Sequence, residues 1–325
     1  MPPVWGARLS AHAVSTSGDT GFTVDAVQGD TAFGEYLSAS GNGIGALDLV
    51  TGHLVRLAKL PADAAGIAGM AADSRWLVWS QLDSQANESV WSLHAWNRAT
   101  GVSTRLADSH LPGGRYVAGQ PPIPVLRQGF AAWAQPVPGR NQGIEANLRV
   151  LNLDTRHAVT LASGRLSSPV YAGRYLVWAT VSDAGWYRLD VADAATLRPS
   201  PLPGRPPRPD SIGYLGGSAS YLVWSTKDYT GLTVWPIGSD HADRYVARDG
   251  RHFFQFLGLA GRFLVWFAGT TSSVLDLTTG YGFDVPGTVS GSPDWIVTAT
   301  PERADSAPYR VARLGTGVAP PIRGC

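Results

Sequence analysis

The chain has almost no cysteine: Cys325, its last residue, is the only one. An intramolecular disulfide and a Cys-based zinc site are therefore both excluded. Lysine is nearly absent, with Lys59 and Lys227 alone among 26 basic residues, and glutamate occurs only at Glu35, Glu88, Glu145 and Glu302. A chain so poor in these strong helix formers, yet holding 38 Gly and 23 Pro, is not built from helices. Charge is scarce as well, at 16% of residues with a formal net charge of +1. No basic field is present to neutralise phosphates, which excludes nucleic acid as a partner class. The start, Met1-Pro2-Pro3-Val4-Trp5, lacks the basic and apolar regions of a signal peptide. The compartment stays open, with a secreted or cell-surface place favoured over the cytoplasm. The most apolar stretch, from Phe253 to Gly269, is interrupted by Gln255, Gly261 and Arg262 and is short for a membrane span, so none is expected.

What is present is a repeat. Tyr175-Leu176-Val177-Trp178 returns as Tyr221-Leu222-Val223-Trp224, Phe263-Leu264-Val265-Trp266 and Trp76-Leu77-Val78-Trp79, with looser copies at Phe130 to Trp133 and Trp295 to Thr298. The tryptophans Trp79, Trp133, Trp178, Trp224 and Trp266 are 54, 45, 46 and 42 residues apart. That period fits a four-stranded propeller blade. A second signature follows in most units: Leu47-Asp48-Leu49-Val50-Thr51-Gly52, Asn97 to Gly101, Leu151-Asn152-Leu153-Asp154-Thr155, Leu189-Asp190-Val191-Ala192-Asp193, and Leu275-Asp276-Leu277-Thr278-Thr279-Gly280. Its alternation predicts a half-buried strand, and the Thr-Gly predicts a hairpin turn into a short outer strand. The Leu-Val-Trp strand, apolar on both faces, is predicted to lie between neighbouring blades.

Second strands are expected near residues 33, 76, 130, 175, 221, 263 and 295. The fold class predicted is all-β: a seven-bladed β-propeller of four-stranded antiparallel blades, six being the alternative if residues 1–60 are misread. One domain is expected over residues 1–325, with Val4 to His12 supplying a strand to the last blade, because an open ring leaves an unpaired edge. The proline-rich run Pro199 to Pro209 reads as a connection between blades.

Leu-Val-Trp, then Leu-Asp-Leu-x-Thr-Gly, then a short strand resembles the TolB-like and WD40-like β-propeller repeats of bacterial and archaeal surface proteins. The resemblance covers nearly the whole chain and bears on fold. The Trp-Asp and Gly-His dipeptides of true WD40 repeats are absent. The family holds binding scaffolds, peptidase accessory domains and many proteins of unknown role.

The recurrent Trp residues could be stacking platforms for sugars, but a residue repeated on a strand buried on both faces is read as inter-blade packing. Trp186, after the turn Asp183-Ala184-Gly185, is instead the best candidate for an exposed aromatic. Asp240-His241-Ala242-Asp243 groups three potential metal ligands on an extended stretch where they do not converge, so no metal site is expected. Gly41-Asn42-Gly43-Ile44-Gly45 leads into a strand, not a helix, and no cofactor is expected. Ser17 to Thr23 resembles a sialidase Asp-box, with Val24 where an aromatic belongs, and no sialidase activity is carried over. Glu88 and Glu145 lie in equivalent loops of adjacent units and are the one carboxylate pair the repeat suggests.

The loops after Trp79 and Trp133 are long and polar, and such loops on a rigid scaffold carry recognition. The reading is a non-enzymatic recognition or scaffold propeller that binds a protein or glycan through this loop-rich face. Its candidate binding residues are Arg140, Asn141, Asp183, Trp186, Lys227 and Tyr229. The alternative is a hydrolase or lyase acting on a glycan or peptide at the axial opening, with Glu88 and Glu145 as its acid–base pair.

Overall fold

In a computed structural model the described residues are 9, 13–16, 20–138, 145–247, 254–268, 271–303 and 306–316. Their elements are strands joined by turns, and no helix among them is long and apolar enough to cross a membrane. The fold is an all-β, seven-bladed β-propeller. The chain divides into two compact units, residues 1–62 with 251–325, and residues 63–250.

The second unit holds four blades, each an antiparallel sheet written here from its innermost strand outward. Blade 2 runs Gly66–Ala72, Trp76–Leu82, Trp91–Asn97, Ser103–Asp108. Blade 3 runs Val125–Arg127, Phe130–Val137, Glu145–Asn152, Ala158–Gly164. Blade 5 runs Leu215–Gly217, Tyr221–Ser225, Gly231–Pro236, Asp243–Val246. Blade 4 has only three strands, Val170–Ala172, Tyr175–Val181 and Tyr187–Asp193, and in place of a fourth it has a single bridge between Ala192 and Pro199.

The first unit holds three blades. In blade 1 the inner strand is split into Gly21–Phe22 and Ala26–Gln28, both paired to Thr31–Leu37, with Gly43–Asp48 and Leu54–Lys59 outside. Blade 6 runs Gln255–Ala260, Phe263–Ala268, Thr271–Asp276, Tyr281–Pro286. Blade 7 runs Thr288–Gly291, Trp295–Arg303, Ser306–Gly315, and its outer strand is Ala13–Ser15, from the other end of the chain. Of residues 4–12, named in the sequence for this role, only Leu9 is among those described.

All seven second strands lie where the repeat places them. Their tryptophans are buried: Trp79, Trp133, Trp178, Trp224 and Trp266. Trp133 joins the core formed with Val78, Trp91 and Leu93 of blade 2. Trp178 packs on Leu148, Leu161 and Ala162 of blade 3. Trp224 lies with Val170, Ala172 and Val177 of blade 4, so within residues 63–250 Trp133, Trp178 and Trp224 each fill the space between consecutive blades.

The second signature is a turn device. Asp48 Oδ1 accepts the N–H groups of Val50 and Thr51, and Asn97 and Asn152 do the same for the residues two and three positions on. Thr51 Oγ1 then accepts the N–H of His53, and Thr100, Thr155, Thr196 and Thr279 repeat that contact. The closing position requires positive φ, met by Gly52, Gly101 and Gly280 and also by Arg156 and Leu197. In blade 4 the capping carboxylate is Asp193, not Asp190, so the repeat there is displaced by three residues from the Leu-Asp alignment. Every blade also carries one equivalent backbone bond from this turn back to the turn before its second strand: Leu49 to Asp30, Arg98 to Arg75, Leu153 to Gly129, Ala194 to Arg174, Ile237 to Ser220, Leu277 to Arg262 and Thr316 to Asp294.

Candidate functional site

In an antiparallel blade, the connection from second to third strand and the link to the next blade emerge on one face, and the capped turns emerge on the other. Within residues 63–250 the described candidates Glu88, Glu145, Asp183, Trp186, Lys227 and Tyr229 occupy the first of these faces. In blade 2 the loop 83–90 is closed by the Asp83 N–H to Val90 C=O bond of 2.8 Å and by Gln85 N–H to Asp63 C=O, also 2.8 Å, and carries an exposed Glu88. Glu145 opens the third strand of blade 3 opposite Val137 and is half-buried. No hydrogen bond or ion pair joins Glu88 to Glu145 among the described residues. Arg140 and Asn141 lie outside the described residues.

Blade 4 presents a tight turn. Gly185 takes a φ of +79°, and Ser182 Oγ accepts the Trp186 N–H at 3.1 Å. The turn lifts Trp186 into solvent, where it is 62% exposed, with Asp183 exposed beside it. The guanidinium of Arg208 lies 4.8 Å from the indole centroid, a cation–π contact from the proline-rich link to blade 5. Arg208 was not legible as a site residue, since nothing in a proline-rich link says which side chain it faces.

Blade 5 completes the group. Thr226 Oγ1 accepts the Gly231 N–H at 2.8 Å and donates to Asp228, whose other oxygen accepts from Thr230 Oγ1 at 2.9 Å. The Thr226 hydroxyl first, then Thr230, hold the Asp228 carboxyl below the usual range. Tyr229 is forced to a φ of +61° and sets its ring 5.4 Å from Tyr214. Lys227, Asp228 and Thr226 line an open depression of about 540 Å³ with Ser211. A hairpin in the link from blade 2 to blade 3, His110–Leu111 with Arg115–Tyr116, adds a 38% exposed Tyr116 against His110. Its turn, Pro112-Gly113-Gly114, was a legible signal.

Two titratable groups lie elsewhere. His94 stacks on Trp79 at 5.2 Å and shares a 2.8 Å hydrogen bond with Ser92 Oγ, and burial lowers its pKa. Ser92 is 2% exposed, so this Ser–His pair cannot reach a substrate. Asp25 sits in the split inner strand of blade 1, accepting from Thr23 Oγ1 at 3.1 Å. Solvent reaches it, yet protein crowds it enough that burial pushes its pKa up to about 6, against the opposing hydrogen bonds of Thr23 and the Glu35 backbone. Arg127, held by the Gly173 carbonyl, is the one charged residue on the described inner strands, and Asp25 lies in the break between Gly21–Phe22 and Ala26–Gln28.

The class defined by this geometry is a seven-bladed β-propeller. No protein-family model matches the sequence, and no curated protein does. Solved structures do. An oligogalacturonate lyase from Vibrio parahaemolyticus matches with a TM-score of 0.56 at 9% identity over 92% of this chain and 91% of that one. The β-propeller domain of the Trilobed protease from Pyrococcus furiosus matches at 0.53 and 9%, over 92% and 98%. A prolyl endopeptidase matches at 0.55 and 14%, over 95% of this chain and 48% of that one, so the present chain spans about half of that protein. TolB from Acinetobacter baumannii is also similar, at 0.46 and 12% over 87% and 79%. At these identities the likeness is one of fold, and it extends over proteins of unlike chemistry.

Proposed function

We propose that this propeller is a non-enzymatic recognition or scaffold module that binds a protein or glycan through its loop-rich face. Trp186 carries the reading: a large aromatic, 62% exposed, held up by a capped turn with a guanidinium over its ring. Exposing an indole forfeits about 1.5–3 kcal/mol of burial, which a binding role offsets. Asp183 lies on the same turn, and Lys227 and Tyr229 lie on the equivalent loop of blade 5, a spread of polar and aromatic groups that suits a contact surface. The test is binding of the full chain to a glycan array and to candidate protein partners. Trp186→Ala and Tyr229→Ala are expected to weaken the interaction at least tenfold, a loss of about 1.4 kcal/mol each. Thr155→Ala, in the capped turn at the other end of blade 3, is expected to leave it unchanged. The reverse pattern rejects this face.

The hydrolase or lyase reading has one observation in its favour, the carboxyl of Asp25 in the break of an inner strand, whose pKa is pushed up to about 6. It would require a glycan- or peptide-cleaving activity that Asp25→Asn, or Glu88→Gln with Glu145→Gln, abolishes in a chain that still melts cooperatively.

A further inference from the structure

Six blades carry an outer strand and blade 4 does not. The third strand of blade 4, Tyr187–Asp193, is therefore an edge. Its odd-numbered residues turn their backbone groups outward: Asp193 N–H reaches the Arg198 carbonyl at 2.9 Å, and Val191 C=O accepts from Ser200 N–H at 3.1 Å. Beyond Ser200 the pairing stops. Pro199, Pro201 and Pro203 have no N–H to offer, and Leu202 packs instead on the core of blades 4 and 5 with Ile237 and Ala242. By the two-residue period of a strand, Tyr187 and Leu189 point their N–H and C=O the same way, and these groups meet no partner among the described residues. An open groove of about 440 Å³ runs along this edge, lined by Leu189, Val191, Pro199, Leu202 and Pro206.

We infer that this groove takes an extended, uncharged peptide segment of a partner protein as the missing fourth strand. The occupant's chemistry is set by what fills the same place in the other blades, a strand, whose main chain supplies the donors and acceptors the edge lacks. Its lack of charge follows from the wall, where Arg188 and Asp190 neutralise each other at 2.8 Å. Its side chains should be apolar at alternate positions, to meet Leu189 and Leu202. The outer strand of blade 3, Ala158–Gly164, shows such a segment in place. It is uncharged, it pairs antiparallel with Ala146 to Leu151, and it packs Val159 and Leu161 inward. This site lies on the outer edge of a blade and does not depend on the loop-rich face.

The probe is a capped synthetic heptapeptide with the sequence of residues 158–164, added to the full chain. Amide hydrogen exchange at Tyr187 and Leu189 is expected to slow at least tenfold. N-methylation of the peptide at the alternate residues that face the edge is expected to weaken binding at least tenfold, while methylation at the other residues leaves it within about twofold. In the protein, Leu189→Pro removes an outward N–H, which an edge strand tolerates, and should abolish peptide binding with the cooperative melt retained. Absence of binding at millimolar peptide, or equal loss from both methylation patterns, overturns the proposal. Protection of the same amides without peptide, in a chain that sediments as a dimer, overturns it in favour of a second copy. Because binding at the face is read with Trp186→Ala and Tyr229→Ala, failure in the groove and failure on the face are separate results.

Discussion

Trp178 shows what a single residue contributes here. Its indole is 7% exposed and bears on Leu148 of the preceding blade, so truncation removes both apolar contact and the spacer between two sheets. Trp178→Ala is expected to cost roughly 3–5 kcal/mol in fluorescence-monitored denaturation. A loss under about 1 kcal/mol, the range of surface sites, would contradict the packing. Asp25 gives a pH-dependent prediction. Its folded pKa of about 6 lies above the ordinary 3.8, so the folded state holds more protons than the unfolded chain between those values. Stability therefore falls as pH rises from about 3.8 through about 6, and the cost is fully present above that. Asp25→Asn is expected to raise the melting temperature at pH 7 and to leave it unchanged at pH 3.5. Solvent access to the carboxylate makes the gain small. The Trp pattern was legible because burial on both faces leaves a run of apolar residues. Asp25 was not, since a single carboxylate between Val24 and Ala26 carries no periodic signal.

At the scale of the element, the capped turn explains why Asp or Asn, Thr and Gly recur together: the first accepts two N–H groups, the second one more, and the third turns the chain. Asn152→Ala removes two 3.0 Å bonds to the Asp154 and Thr155 N–H groups. It is expected to cost about 0.5–1.5 kcal/mol by thermal melting, with no change in fold. The same device shows a limit of pattern reading. Leu189-Asp190 shares only the Leu-Asp of the motif, and Asp193 performs the capping, with Thr196 three residues on as Thr51 is from Asp48; the pairing of Asp193 with Tyr175 puts the turn there. Gly34 belongs to this scale as well. A Cβ there would run into the Thr23 carbonyl of the split inner strand, so Gly34→Ala is expected to destabilise blade 1 by more than a helix-type glycine exchange would.

At the scale of the whole molecule, the ends of the chain meet in blade 7, where Ala13 to Ser15 pair with Ala312 to Arg310. Thr16 Oγ1 accepts the Tyr309 N–H at 2.8 Å and extends the pairing. Deleting residues 1–16 leaves the strand Ser306–Gly315 as a bare edge. The truncated chain is expected to melt at lower temperature and to self-associate in sedimentation, since such edges seek partners. The repeat period, the seven second strands and the burial of the tryptophans were determined by the sequence alone, because identical packing demands impose identical residues at a fixed spacing. Tertiary structure decided the rest. It set Arg208 over Trp186, placed Asp25 where protein crowds it, and left blade 4 without its fourth strand. Those outcomes depend on which segments far apart in the chain come to face one another, and no local pattern records that.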